Sequence, residues 1–100
     1  MKKTAIANEL DKHGLTEFQK RVLIAAMSVK KGQTVTYKQL ARMAGHPNAY
    51  RAVGTALKLN PLPIKIPCHR VVKSDGTLGN YSYGGRNAKL RLLKQEHAVN

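Results

Sequence analysis

Cys68 and His69 are neighbours in the run Pro67-Cys68-His69-Arg70-Val71-Val72, and a thiol beside an imidazole can make a reactive nucleophile. A free thiol of pKa about 8.5 is only a few per cent thiolate at neutral pH, so fast attack needs a positioned base or a nearby positive charge. A lone cysteine taken by itself is more often a small buried hydrophobe. The setting of Cys68 argues otherwise, because the preceding segment, Asn60-Pro61-Leu62-Pro63-Ile64-Lys65-Ile66-Pro67, carries three prolines. Proline denies donors to a helix and restricts the residue before it, so this segment is expected to run extended through the core and hold the sulfur in place. With one cysteine no intramolecular disulfide can form. His13, His46, His69 and His97 show no metal-ligand spacing, so neither a metal site nor a cofactor is expected.

The elements that must position this pair follow from capping and periodicity. Residues 1–14 read as a short basic lead-in. Thr16 and Gln19 form a capping box ahead of Phe18, Val22, Ala25, Ala26 and Val29 at helical spacing, with a stop near Lys31-Gly32. After a brief extended piece at Thr34-Val35, Thr36 and Gln39 repeat the box before Tyr37, Leu40, Ala41 and Ala44. Gly45-His46-Pro47-Asn48 reads as a turn ending in an N-cap, and Ala49, Ala52, Val53, Ala56 and Leu57 line the next helix. The opposite face of that helix carries Arg51, Gly54, Thr55 and Lys58, small in the middle and cationic at both ends. Val71-Val72 reads as a short strand, Ser74-Asp75-Gly76 as a tight turn and residues 79–85 as a flexible loop. A last helix is expected from about Asn87 to His97, with Leu90, Leu93 and His97 inward. The expected fold is mainly α with a short β element, a winged-helix-like helix-turn-helix domain.

Composition narrows the partner. Eighteen Lys and Arg against five Asp and Glu leave a formal charge of +13, which points to a polyanion. The basic residues are scattered and not gathered on an aromatic-rich amphipathic helix, and no long uncharged apolar run occurs, so no membrane association is expected. One hundred residues with 42% hydrophobic content suit a single domain, 1–100, with one modest core.

The six residues Pro67 to Val72 resemble the active-site signature of the O6-alkylguanine-DNA alkyltransferases. Further blocks follow in register: Thr34 to Ala41, Arg51-Ala52-Val53-Gly54, Asn60 to Ile64, Gly79-Asn80-Tyr81-Ser82 and Leu92 to Glu96. The resemblance covers about residues 16–97 and corresponds to the catalytic and DNA-binding domain of that family, without its usual N-terminal domain. It implies direct repair, in which Cys68 takes the alkyl group from O6 of guanine irreversibly and once. By the same resemblance His69 deprotonates Cys68 through a water, Glu96 orients and charges His69, and Asn60 ties the helix before it to the active-site segment. Tyr37 reaches the flipped base and its phosphate. Arg51 fills the gap in the base stack, while Gly54, Thr55 and Lys58 complete a face that presses into the minor groove of double-stranded DNA. The base pocket takes main-chain carbonyls at Cys68 and Val71, a donor at Ser82 and a wall at Pro63. The implied protein is a monomer, cytoplasmic, or nuclear in a eukaryotic source.

Tyr50 stands where relatives carry a small residue on the DNA-facing helix, and Tyr83 interrupts their Ser-Gly-Gly run. The rival reading is a non-catalytic alkyltransferase-like protein that binds alkylated guanine and recruits other repair factors. Such proteins replace the nucleophilic cysteine, whereas Cys68 is present here. A plain helix-turn-helix regulator has no use for the thiol, and a cysteine hydrolase needs an oxyanion hole that the sequence does not suggest.

The charge balance makes a direct prediction. Affinity for duplex DNA should fall by about a thousandfold or more between about 50 and 200 mM salt, the signature of extensive phosphate neutralisation. A salt titration by fluorescence anisotropy checks it, and a flat response removes the polyanion reading.

Overall fold

Two capping boxes start two helices. In the computed structural model, which describes residues 8–75, 77–79 and 81–98, the Thr16 hydroxyl accepts from the Gln19 N–H at 3.1 Å and Gln19 Oε1 accepts from the Thr16 N–H at 2.9 Å. Helix α1, Glu17–Ala26, follows. The same reciprocal pair joins Thr36 and Gln39 and opens α2, Tyr37–Met43. Helix α1 ends well before Lys31-Gly32, because Met27, Ser28 and Val29 switch to tighter i→i−3 bonds and the Ser28 hydroxyl binds the Ala25 carbonyl. Val29 is buried all the same.

Helix α3, Tyr50–Lys58, has Ala49 and not Asn48 as its N-cap, without a side-chain cap. The Ala49 N–H is already bonded to the His46 carbonyl, which closes residues 46–49 into a turn and moves the helix start on by one residue. Val53, Ala56 and Leu57 face inward, while Ala52 is exposed. Helices α2 and α3 form the expected helix-turn-helix, and α1 packs on both. Their common core includes Val22, Leu23, Ala26, Leu40, Ala41, Val53 and Ala56.

Leu10 is fully buried in this core and residues 8–11 are helical, so the described part of the segment expected as a lead-in belongs to the domain. A single leucine among polar residues is too short a pattern to show a period. Residues 1–7, Gly76 of the expected turn, Asn80 of the Gly79 to Ser82 block, and residues 99–100 lie outside the described residues.

Strands β1, Val35–Thr36, and β2, Val71–Val72, pair in parallel with Val35 opposite Val71 and Thr36 opposite Val72. A parallel pair needs a crossover, and here the whole helix-turn-helix supplies it. The proline-rich segment between α3 and β2 does not run extended through the core. The Asn60 side chain bonds both the Leu62 N–H and the Ile66 carbonyl, drawing the segment into a turn whose tip, Ile64, is exposed with φ of 72°. Only Asn60, Ile66 and Pro67 of it are buried.

Helix α4, Gly85–Gln95, starts at Gly84, whose φ of 115° suits glycine and where a Cβ would sit 2.7 Å from that of Ala88. Its end is a Schellman closure: the Ala98 N–H reaches the Leu93 carbonyl at 2.9 Å and His97 takes φ of 59°. That geometry turns His97 outward, contrary to the expected inward position. Leu93 and Lys89 are the helix's buried residues. No described helix is long and apolar enough to cross a membrane.

Leu10→Ala tests the extended core. Deleting a fully buried leucine costs about 2–5 kcal/mol, which for a domain of this size lowers the melting point by about 10 °C or more. A thermal melt shifted by less than about 2 °C would return the segment to a solvated lead-in.

Candidate active site

Cys68 opens a short 3-10 turn, Cys68–Arg70, that ends directly in β2. Its N–H is held by the Ile66 carbonyl at 2.8 Å and its side chain is nearly fully buried. Asn60, itself buried at the end of α3, donates from Nδ2 to Cys68 Sγ at 3.3 Å and to the Ile66 carbonyl at 2.9 Å. The Tyr83 hydroxyl donates to the Asn60 main-chain carbonyl. Burial pushes the Cys68 thiol above its ordinary value, while the Asn60 donor and the charge of Lys89 pull it down by less. The resting sulfur is therefore a thiol at neutral pH, and its use as a nucleophile requires a base.

His69 is fully buried, with Nε2 at 3.0 Å from Glu96 Oε2. The same carboxylate receives Arg70 Nε at 2.9 Å on Oε1 and Arg70 Nη2 at 2.8 Å on Oε2, a two-pronged guanidinium contact. Arg70 Nη1 donates on to the Val29 carbonyl at 2.8 Å. Arg70 first, then His69, holds the Glu96 carboxyl down to about 2. An ionised carboxylate can only accept, so Nε2 of His69 donates to it, and in the neutral imidazole the lone pair then falls on Nδ1. Nδ1 is buried and finds no hydrogen-bond partner among the described residues. In its neutral form, an imidazole oriented in this way can accept a proton at Nδ1.

A cavity of about 490 Å³ opens beside the sulfur. Of the residues picked out by sequence, it brings together Tyr37, Arg51, Gly54, Thr55, Lys58, Cys68 and Ser82 on its walls. Pro63 and Val71 are not among the lining residues. Pro63 sits half-buried in the Asn60 turn, and Val71 is drawn into the core by pairing with Val35. The Val71 carbonyl accepts from Lys89 Nζ at 2.5 Å. Tyr37 stands at the start of α2 with its hydroxyl against Gly79, where a Cβ would come within 2.8 Å of the oxygen. Burial raises the Tyr37 phenol above its ordinary value, so it stays a donor.

Sequence reasoning missed Arg70 and Lys89 and noted Tyr50 only as a departure from relatives. Arg70 completes the Glu96 contact, and its signal was a cation within the cysteine motif itself. Tyr50 lines the cavity with Lys38 Nζ 5.4 Å from its ring centroid. Lys89 is wholly buried, and nothing in its helical position distinguishes it from the exposed lysines.

Residues 17–98 match the family described as 6-O-methylguanine DNA methyltransferase, DNA binding domain. Methylated-DNA--protein-cysteine methyltransferase of Rattus norvegicus is 54% identical over 80 residues, 79% of this chain and 38% of that protein. The crystal structure of Mycobacterium tuberculosis OGT in complex with DNA superposes with a TM-score of 0.80 at 43% identity, covering 84% of this chain and 52% of that one. S. pombe Atl1, in complex with damaged DNA containing O6-carboxymethylguanine, is 32% identical with a TM-score of 0.70, over 82% of this chain and 77% of that one. The chain thus spans well under two thirds of the rat relative's length and about half of the mycobacterial chain.

The Glu96 contacts carry an acid-stability prediction. The folded carboxyl titrates near 2 against an ordinary 4.5, so its contribution is complete above about pH 4.5 and is lost as pH falls through 2. Glu96→Gln should cost about 3 kcal/mol at neutral pH, as one partner of a largely buried pair is removed. Urea melts from neutral to acid pH should show the wild type losing stability over that window and Glu96→Gln showing a flatter limb. Parallel curves would mean the contact does not stabilise the fold.

Proposed function

Because the chain belongs to the 6-O-methylguanine DNA methyltransferase family through its DNA-binding domain, we propose that it repairs O6-alkylguanine in double-stranded DNA. Repair is a single, irreversible transfer of the alkyl group to Cys68. The observation that carries this reading is the shared cavity: the sulfur lies on one wall, backed by Asn60, and the Arg51, Gly54, Thr55 and Lys58 face of α3 forms another.

O6 of guanine lies on the major-groove side of the base pair while the α3 face meets the minor groove, so the alkylated nucleotide must rotate out to meet a buried sulfur. The small centre of the α3 face lets backbone approach the minor groove, Lys58 meets phosphate, and Arg51 occupies the gap left by the base. Tyr37 and Ser82 offer donors to the base within the cavity. His69 Nδ1 takes the Cys68 proton through a bridging water, and Glu96 stabilises the imidazolium that forms. The thiolate attacks the alkyl carbon, the S–C bond forms as the C–O6 bond breaks, and the electron pair passes to guanine. The guanine anion recovers a proton, assisted by the Tyr37 donor. No cofactor or metal enters this scheme, and one copy of the chain carries every group it uses.

Similarity to Atl1 supports a second reading, lesion binding without transfer. The Asn60 contact to a real thiol at position 68 favours chemistry. Intact mass after incubation with an O6-methylguanine duplex separates the two: transfer adds one methyl to Cys68, and binding alone adds nothing. Cys68→Ala should abolish transfer and keep lesion binding. Arg51→Ala should slow repair in duplex by about tenfold or more and leave reaction with free O6-benzylguanine nearly unchanged, since only the duplex must hold a base extruded. Equal losses on both substrates would show a folding defect instead.

A further inference from the structure

Tyr50, the first residue of α3, holds its ring at the surface: it is 39% exposed and lies outside the core cluster. Cys68, which lines the same cavity, is 6% exposed, so the cavity runs from the buried sulfur out to Tyr50. Lys38, the second residue of α2, lines it too and sets Nζ 5.4 Å from the Tyr50 ring centroid. A cation over one face steadies the ring where the first turns of the two helices meet. One turn further along α3, at i+4 from Tyr50, stands Gly54. A Cβ built there meets nothing within 4 Å, so packing within the chain does not ask for glycine, and a helix interior disfavours one. The missing side chain leaves open ground beside the ring. Lys58 follows at i+8 with an exposed side chain, so Tyr50, Gly54 and Lys58 form one ridge of about 12 Å: an aromatic face, a bare step and a cation.

A single strand of nucleic acid is held by these same elements, a π-face for a base and positive charge along the backbone, with a bare step here that gives the sugar room. We propose that Tyr50, braced by Lys38, is a stacking site for an unpaired nucleobase, which gives this chain a hold on single-stranded or locally opened DNA. The inference rests on the DNA-binding part of the proposed function and not on methyl transfer. Its role is separate from that of Arg51, the next residue: Arg51 enters the gap in a stacked duplex, whereas Tyr50 takes a base that has already left the stack. Every base has a π-face, so the site is indifferent to sequence. A tyrosine that served only to anchor Lys38 would gain nothing from the open step at Gly54.

Fluorescence anisotropy with unmodified single-stranded and duplex oligonucleotides of one sequence tests this. Tyr50→Ala should weaken single-strand binding by about tenfold and duplex binding by less than about twofold. Because stacking neutralises no phosphate, the single-strand loss should be the same at about 50 and 200 mM salt. Tyr50→Phe should keep wild-type affinity. Tyr50→Leu, which keeps apolar bulk without a π-face, should behave as Tyr50→Ala. Thermal melts establish that each variant is folded. Irradiation of the wild type with a single strand carrying 5-iodouracil should place a crosslink on Tyr50.

Equal losses on single strand and duplex, full affinity in Tyr50→Leu, or crosslinks confined to other residues would each overturn the proposal. So would a loss that flattens the salt dependence, since the ring would then only be placing Lys38 against phosphate. Failure of the repair function shows itself differently. If single-strand affinity depends on Tyr50 and no methyl reaches Cys68, repair falls and the stacking site stands. If methyl is transferred and single-strand affinity ignores Tyr50, repair stands and the stacking site falls.

Discussion

Glu96 Oε2 lies 3.0 Å from His69 Nε2 and 2.8 Å from Arg70 Nη2, and most of what the domain does is arranged around that carboxylate. It is the C-cap of α4, a position where the helix dipole disfavours negative charge, so the neighbouring cation must more than offset that disadvantage. Arg70 does so with two prongs and extends a third contact to the Val29 carbonyl beyond α1. One ion cluster therefore joins the last helix, the cysteine turn and the far end of the first helix. It also aims His69 and fixes which of its nitrogens holds the proton. Structural and chemical roles share the same atoms.

The second constraint is the parallel pairing of β1 with β2. Two residues per strand give a ladder too short to stand alone. Its consequence is positional, since the register Val35 to Val71 and Thr36 to Val72 sets Tyr37, next after β1, near Cys68, just before β2. The helix-turn-helix is the crossover between these strands, so its outward face and the thiol cannot be placed independently. A cavity shared by the Arg51 face and the sulfur follows from topology as much as from side-chain choice.

Local signals carried much of this in the sequence. The Thr16 and Thr36 boxes set the starts of α1 and α2, and apolar spacing located the helix-turn-helix, because both are decided within four residues. The chemistry of Cys68, His69, Asn60 and Glu96 came from motif resemblance, since those residues lie up to 36 positions apart and no periodicity links them. What escaped was non-local or short. The Asn60 side chain folds a proline-rich run into a turn that composition alone reads as extended. Leu10 joins the core without a pattern around it, and Lys89 is indistinguishable from a surface lysine until α4 is docked on β2.

Burial and reactivity pull Cys68 in opposite directions. Taking the thiol out of water disfavours the thiolate, yet the same low-dielectric surroundings strengthen every donor and charge aimed at it. Asn60 acts within that setting, and on the proposed reading a flipped base filling the cavity would exclude more water and strengthen its contact further. The sulfur is thus best activated when the cavity is occupied and least reactive toward other electrophiles when it is empty. On the proposed reading, in which the nucleophile reacts once and is not regenerated, protection between substrates matters as much as speed on them, and burial with a poised base answers both demands.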